Sequence, residues 1–361
     1  MNIAPPIPLL VIAGPTAAGK TELALRIAEA RGGEIVSADS MQIYRRLEVG
    51  TAKPTAEERA RAPIHLIDFV EPDEPYSVAQ YQRDARAAIA AISARGKLPI
   101  LCGGTGLYIR AVLQGFSFPT AEDPRQQEVR QRLQAEAERD GLPALHERLR
   151  AVDPEAAERI NVADAKRIVR ALEVFELTGE PMSRQQTAML PGCRAGARTP
   201  PNAAPNGGAV QARALQTSVP VQPPAFVDAP EGLGYNAATF VLTSPRPALY
   251  RRIEARVDAM IAAGWLEEVR ALREAGYDPG LQSLQAIGYR QIVQHLAGER
   301  DWDETVRLIK QETRRFAKRQ ETWFRRDSEA VWLSWEDETQ FATAYDVVSA
   351  AGRLRTAAGR L

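Results

Sequence analysis

Along the first hundred positions, short unbroken apolar blocks alternate with stretches in which apolar residues recur every three or four positions. IPLLVIAG (7–14), GEIVSADS (33–40) and LPILCGG (98–104) are runs bounded by turn residues, the pattern of buried strands. TELALRIAEARGG (21–33) and YSVAQYQRDARAAIAAISARGK (76–97) lie between them with helical spacing and glycine stops. Strand–helix–strand order at this spacing predicts a parallel sheet with helices on both faces. From about 123 to 190 the pattern becomes helical throughout: DPRQQEVRQRLQAEAERDG, LPALHERLRAVD and VADAKRIVRALEVFELTG. The segment from 194 to 230 has neither period. Seven of the chain's 25 prolines fall in it, and it reads as a disordered surface insertion. ATFVLTSPR (238–246) then resumes as a strand. Four helical stretches follow: PALYRRIEARVDAMIAAG, WLEEVRALREAG, LQAIGYRQIVQHLAG and WDETVRLIKQETRRFAKRQETWFRR.

At 361 residues, 45% hydrophobic and 25% charged, the chain has the composition of a globular protein with a substantial core. Its 46 basic and 46 acidic residues cancel, so no overall field announces a nucleic-acid partner and local clusters must carry that case. Two cysteines, Cys102 and Cys193, exclude a disulfide framework or a cysteine-built zinc site. His65, His146 and His295 lack ligand spacing and read as structural. The apolar N-terminus runs straight into a glycine-rich loop without a basic segment or cleavage site, so it reads as a core strand and not a signal peptide. No run is long and apolar enough to span a membrane, and a cytoplasmic location is expected.

The glycine-rich loop is GPTAAGKT: Gly14, Pro15, Thr16, Ala17, Ala18, Gly19, Lys20 and Thr21. It fits the phosphate-loop pattern at every fixed position, with a strand before it and a helix after. Backbone N–H groups of such a loop wrap a polyphosphate. Lys20 reaches the terminal phosphates, and Thr21 can ligate magnesium at the helix N-terminus. The fold class that follows is α/β, a P-loop NTPase-like parallel sheet core flanked by helices, with an all-helical insertion. The expected boundaries are 1–120 and 236–330 for the two parts of the core, 121–192 for the helical insertion, 193–235 for the Pro/Ala-rich insertion and 331–361 for C-terminal elements.

An NTP-hydrolysing enzyme would also need an acid on a second strand end. LPILCGG ends in glycines, and IHLID ends at Asp68. GEIVSADS places Asp39 at the sheet edge where ligands bind in open α/β folds. Asp39 there is a metal ligand, a general base or a turn cap. Thr105, in GGTGLYIRA, is either a hydroxyl at the same edge or a helix cap. Three basic clusters remain. They are Lys166, Arg167 and Arg170; Arg251, Arg252 and Arg256; and the stretch 310–326, where seven basic residues face two acidic ones among Phe316, Trp323 and Phe324. Such a mixture suits phosphates and bases, or a solvated helix whose aromatics pack inward.

Together GPTAAGKT, SADSMQIYRRLEVGTAKPT, PILCGGTGLYIRAVLQG, DAKRIVRALEV, SLQAIGYRQ and KRQETWFR, in that order, resemble the tRNA dimethylallyltransferases (tRNA isopentenyltransferases). The resemblance implies transfer of a five-carbon group from dimethylallyl diphosphate to N6 of the adenosine immediately 3′ of the tRNA anticodon. Diphosphate, not ATP, would occupy the loop and leave with its charge clamped. Asp39 would be the general base, and Thr105 would contact the adenosine. Lys20, Thr16 and Arg256 would hold the diphosphate, with magnesium on Thr21. The tRNA-contacting stretches implied are Asp39, Ser40, Met41 and Gln42; Lys166, Arg167, Ile168, Val169 and Arg170; Gln285, Gly288, Tyr289 and Arg290; and Lys318, Arg319, Gln320, Trp323 and Arg325, with Thr105 and, as a single-site match, Arg130. The helical insertion would grip the anticodon stem-loop, the target base turned out of its stack.

The segment 194–230 departs from the family in its length and proline content. The absence of a cysteine/histidine finger after it implies a bacterial-type enzyme, expected as a monomer. Two other classes compete. A P-loop small-molecule kinase would use ATP and Asp39 as base; a non-catalytic RNA-binding protein would use the basic faces alone.

Overall fold

Each apolar block of the first hundred residues is a strand of one sheet. The computed structural model describes residues 6–114, 124–187, 227–228 and 234–358. β1 (Ile7–Ala13) delivers the chain to the phosphate loop, and α1 (Lys20–Arg31) follows, closed by Gly32 in the left-handed conformation. β2 (Gly33–Ser37) is buried at all five positions, as a strand covered on both faces must be. Next come α2 (Ala56–Arg61), the two-residue β3 (Ile64–His65) and α3 (Val78–Ala94). Reciprocal capping boxes open both helices, Thr55 with Glu58 and Ser77 with Gln80. β4 (Leu98–Gly103) and α4 (Gly106–Gln114) complete this half.

A run of helices follows: α5 (Pro124–Asp140), α6 (Leu142–Val152), α7 (Pro154–Arg159), α8 (Ala165–Thr178) and α9 (Met182–Thr187). The chain returns to the sheet with β5 (Val227–Asp228) and β6 (Tyr235–Thr243). Then come α10 (Arg246–Ala262), α11 (Trp265–Glu274), α12 (Tyr289–Leu296), α13 (Trp302–Phe324), β7 (Val331–Ser334) and α14 (Glu338–Ala358).

The strand order is β3-β2-β4-β1-β6, all parallel. The outer edge of β6 is shared by antiparallel β5, opposite Asn236 and Ala237, and parallel β7, opposite Phe240–Thr243. In register, Ala13 faces Gly103 on one side and Val241 on the other, and Ser37 faces Cys102. The ends of β1, β2, β4 and β6 are therefore level, and the loops leaving them share one edge. Alternation along β1 divides the core: Leu9 and Val11 join Tyr81, Tyr108 and Tyr289, whereas Leu10 and Ile12 join Leu23 and Ile27 of α1 and Phe341 and Val348 of α14.

Chain contacts separate two units, residues 1–115 with 208–361 and residues 116–207. The second is helical and has its own core around Leu133, Leu149, Ile168 and Leu172. His146 is buried there against the carbonyls of Ala157 and Ile160. Inside this unit Glu173, fully buried, receives Arg130 at 2.8 Å, Gln126 at 2.7 Å and the guanidinium of Arg170. Those bonds hold its carboxyl below the ordinary range despite the burial that opposes it.

Several elements differ from expectation. LQAIGYRQIVQHLAG is helical only from Tyr289, because Gly288 sits at φ 92° and a side chain there would collide with Trp265 at 2.0 Å. IHLID pairs only at Ile64 and His65; Leu66 and Asp68 turn the chain through positive φ values of 60° and 61°. Val227 and Asp228, inside the segment expected to be disordered, form β5. The remainder of that segment up to 226 lies outside the described residues, as does Cys193.

Candidate active site

The phosphate loop bends by placing three residues where φ is positive: Gly14 at 137°, Ala17 at 61° and Gly19 at 83°. Gly14 is required sterically, since a Cβ would lie 2.1 Å from the Leu242 carbonyl oxygen of neighbouring β6. The indole N–H of Trp335 donates to the Ala18 carbonyl at 2.8 Å and holds the loop from behind. The Arg252 guanidinium lies 3.9 Å from the Trp335 ring and donates to the Ser244 hydroxyl. Arg252 thus supports the loop from outside the cavity.

In front of the loop is a cavity of about 400 Å³, lined by residues of the sheet-bearing unit. Thr16, Lys20 and Thr21 come from the loop and α1, with Asp39, Ser40, Met41 and Gln42 from the segment after β2. Gly103, Gly104 and Thr105 come from the turn after β4. Ile253, Arg256, Val257 and Met260 sit at i, i+3, i+4 and i+7 on one face of α10, so an arginine projects into the cavity from an otherwise apolar stripe. Gly50, Thr51, Trp265, Gln285, Tyr289, Phe316, Arg319 and Gln320 are among the other residues of the wall.

Asp39 uses one carboxylate oxygen as a cap. Oδ1 accepts the N–H groups of Met41 at 2.8 Å and Gln42 at 3.3 Å, and Oδ2 accepts none among the described residues. Asp39 therefore caps this turn and lines the cavity at once. The Thr105 carbonyl starts α4, accepting from Ile109 at 3.2 Å, but its hydroxyl turns away and accepts the Ser40 N–H at 3.1 Å. Thr105 joins the turn after β4 to the segment after β2. Gln42 continues the tie, donating to the carbonyls of Thr51 and Ala52 at 3.2 and 3.1 Å.

The electrostatics are those of an anion site. Burial lowers the Lys20 ammonium to about 8, and the nearby Arg256 guanidinium pushes the same way; Cys102 and Asp39 oppose. Burial also lowers Arg256, against the attraction of Asp39 and Glu58. Lys20 folds back to donate to the Pro15 carbonyl at 2.7 Å. Arg256 has neither a hydrogen bond nor an ion pair among the described residues. Burial pushes the Cys102 thiol beneath Lys20 up to about 12, which keeps it an inert, protonated floor.

Other implied residues sit elsewhere or work differently. Asp68, an acid weighed from the sequence, holds Lys53 at 2.8 Å away from the cavity; Glu48 takes the same ammonium at 2.7 Å. The Lys53 side chain is 2% exposed and held in this ion pair, whereas Gly50 and Thr51 of the same GTAKP stretch line the cavity. Tyr289 lies fully buried, its hydroxyl 2.6 Å from Glu268. Within the implied stretch from Lys166 to Arg170, Ile168 and Val169 belong to the core of the helical unit, whereas Lys166 and Arg167 are exposed. Lys166, Arg167, Arg290, Lys318, Arg319 and Arg325 are exposed.

Two residues carry structure that the sequence did not signal. Glu268, on the first turn of α11, accepts the N–H groups of Glu48 and Val49 at 2.7 Å and of Gly50 at 3.2 Å. Gln320 bridges two loops of the cavity.

A family model described as IPP transferase matches residues 42–327, and one described as Isopentenyl transferase matches residues 7–68. A tRNA dimethylallyltransferase of Geobacter metallireducens is 47% identical over 328 residues, 91% of this chain and 92% of that protein. One of Symbiobacterium thermophilum is 46% identical over 327 residues, 91% and 89% of the two. Among solved structures, the full-length tRNA isopentenylpyrophosphate transferase of Bacillus halodurans matches with a TM-score of 0.62 at 33% identity, over 97% of this chain and 99% of that one. A eukaryotic dimethylallyltransferase acting on tRNA shares the fold, with a TM-score of 0.70 at 23% identity over 93% and 76%. The order of motifs, the phosphate loop facing an unpaired arginine, and identity sustained over nine-tenths of the chain converge on one conclusion: the chain belongs to the tRNA dimethylallyltransferase family.

Proposed function

We propose that the protein transfers the dimethylallyl group of dimethylallyl diphosphate to N6 of the adenosine immediately 3′ of the anticodon in tRNA, releasing diphosphate. Its family is one of prenyltransferases, which sets aside the small-molecule kinase and the non-catalytic RNA-binding protein. One observation carries the choice of ligand: two cavity cations, Lys20 and Arg256, are desolvated, Asp39 is the one carboxylate among the described lining residues, and Arg256 has no ion pair among the described residues. A diphosphate supplies the missing negative charge.

The amine nitrogen forms a bond to C1 of the prenyl group while the C1–O bond to diphosphate breaks, and Asp39 Oδ2 takes the amine proton. Lys20 and Arg256 stabilise the charge that gathers on the departing oxygens. Thr105, bonded to Ser40, holds the segment that carries Asp39, and the apolar stripe of α10 suits a five-carbon chain. Magnesium would be held by Thr21, an oxygen donor among the lining residues, beside the cavity carboxylate of Asp39. Such a site leaves most coordination positions to phosphate oxygens and water, as magnesium prefers. Bound there, the ion would neutralise leaving-group charge.

The exposed Lys166 and Arg167 of the helical unit, Lys318 and Arg319 of α13, and Arg325 just past that helix suit the phosphates of the anticodon stem-loop. The same proposal takes the enzyme as a monomer. No helix among the described residues is long and apolar enough to cross a membrane, and a tRNA substrate fits the cytoplasm. Mass analysis of tRNA nucleosides before and after incubation with enzyme and dimethylallyl diphosphate tests the proposal. The expected result is a five-carbon gain on the adenosine next to the anticodon. ATP turnover driven by a small metabolite, with tRNA unchanged, would overturn it.

A further inference from the structure

Gln320 stands in the basic, aromatic stretch of α13, yet it faces inward: the residue is 6% exposed, whereas Lys318 and Arg319 beside it are exposed. Its amide spans two loops. Oε1 accepts the N–H of Thr16 in the phosphate loop at 2.9 Å, and Nε2 donates to the carbonyl of Gly104 after β4 at 2.9 Å. The orientation is unambiguous chemically, because a backbone N–H can only donate and a carbonyl can only accept. The two loops leave adjacent strands, β1 and β4, paired at Ala13 and Gly103. Gln320 therefore closes the gap between neighbouring strand ends from above. A Cβ on Gly104 would lie 2.3 Å from Nε2, so the amide fills the space that the missing side chain leaves.

We infer that Gln320 is a positioning residue that shapes the phosphate loop for the prenyl diphosphate and makes no contact with tRNA. Its bond occupies the Thr16 N–H, which leaves Thr16 to meet the ligand through its hydroxyl while the loop's remaining amides stay in place. A loop held in its binding shape before the ligand arrives loses less freedom on binding. The inference rests on the proposal that diphosphate occupies this loop.

Two variants break the strut from opposite sides. Gln320→Met removes both bonds at similar length. Gly104→Ala displaces the amide by contact with the far end of a flexible side chain, which leaves the backbone undisturbed. Each is expected to weaken dimethylallyl diphosphate binding in calorimetry about tenfold, the order expected for one or two buried hydrogen bonds. The KM for prenyl diphosphate should rise in step. Affinity for an anticodon stem-loop, and its salt dependence, should stay within about twofold of the parent. The double variant should be no worse than the worse single, because both act through one contact. Loss of stem-loop affinity with diphosphate binding intact would make Gln320 an RNA contact, and unchanged diphosphate binding in both variants would remove its role. If Gln320→Met fails to fold, Gly104→Ala decides alone. If the parent protein binds no diphosphate, the proposed function fails first and the inference falls with it, an outcome distinct from equal binding by parent and variants.

Discussion

Asp39 divides its two carboxylate oxygens between architecture and chemistry, and substitutions can separate them. Asparagine retains an acceptor for the Met41 and Gln42 amides but cannot take a proton. Asp39→Asn is expected to melt like the parent and to lose about 10²–10⁴-fold in turnover, with stem-loop affinity little changed. Asp39→Ala should also lose roughly 0.5–2 kcal/mol of stability as the cap goes. Equal turnover in parent and Asp39→Asn would move the base elsewhere. Lys20 makes a pH-dependent prediction. Its ammonium, lowered to about 8, is stabilised once a diphosphate faces it, so binding at pH 8 should take up on the order of half a proton. Calorimetry in buffers of different ionisation enthalpy reads that number, and Lys20→Met should abolish it. Diphosphate affinity should then fall as pH rises through 8. The ligand-free protein behaves oppositely: the unfolded chain holds this proton up to the ordinary lysine range, so the burial penalty present below pH 8 is relieved as pH rises.

At the scale of elements, α13 shows how one helix serves two partners. Of the seven basic residues from 310 to 326, Lys310 pairs with Asp258, Arg314 with Glu254 and Arg315 with Glu312. Past the third of these, the arginines lie over rings: Arg319 over Phe316, Arg325 over Trp332 and Arg326 over Trp323. The free charge therefore gathers near the end of the helix. Lys318→Ala and Arg319→Ala should each weaken stem-loop binding and reduce its log–log salt slope by about one, whereas Lys310→Ala should leave the slope unchanged. Matching slopes in all three would make this face merely solvated. The 48–52 loop depends on α11 in the same remote way. Glu268→Ala leaves three backbone amides and the Tyr289 hydroxyl without their acceptor, an expected loss of roughly 2–4 kcal/mol in denaturant unfolding. A loss below about 0.5 kcal/mol would mean water replaces the carboxylate without cost.

At the scale of the molecule, the chemistry is gathered on the sheet-bearing unit, and the helical unit, with its own core, interrupts that unit's sequence. The proline-rich stretch before β5 carries no motif. Removing 194–226 while keeping Val227 and Asp228, which pair with β6, should leave prenyl transfer to tRNA within a few-fold of the parent. A folded but inactive deletion would give that stretch a part in the reaction.

Much of this organisation was legible in the sequence because it depends on near neighbours. Apolar runs and 3.6-residue spacing set most strands and long helices, the glycines of GPTAAGKT set the loop, and Asp39 follows from its place after β2. What depended on distant partners was not legible. Thr16 meets Gln320 across 304 positions, and Gly50 meets Glu268 across 218. The same remoteness hid why Lys53 is buried, why α12 begins only at Tyr289, and which basic residues of α13 are already paired. Periodicity marks which face of an element is apolar; only packing decides which polar group finds a partner, because hydrogen bonds and ion pairs require contact in space and not order along the chain.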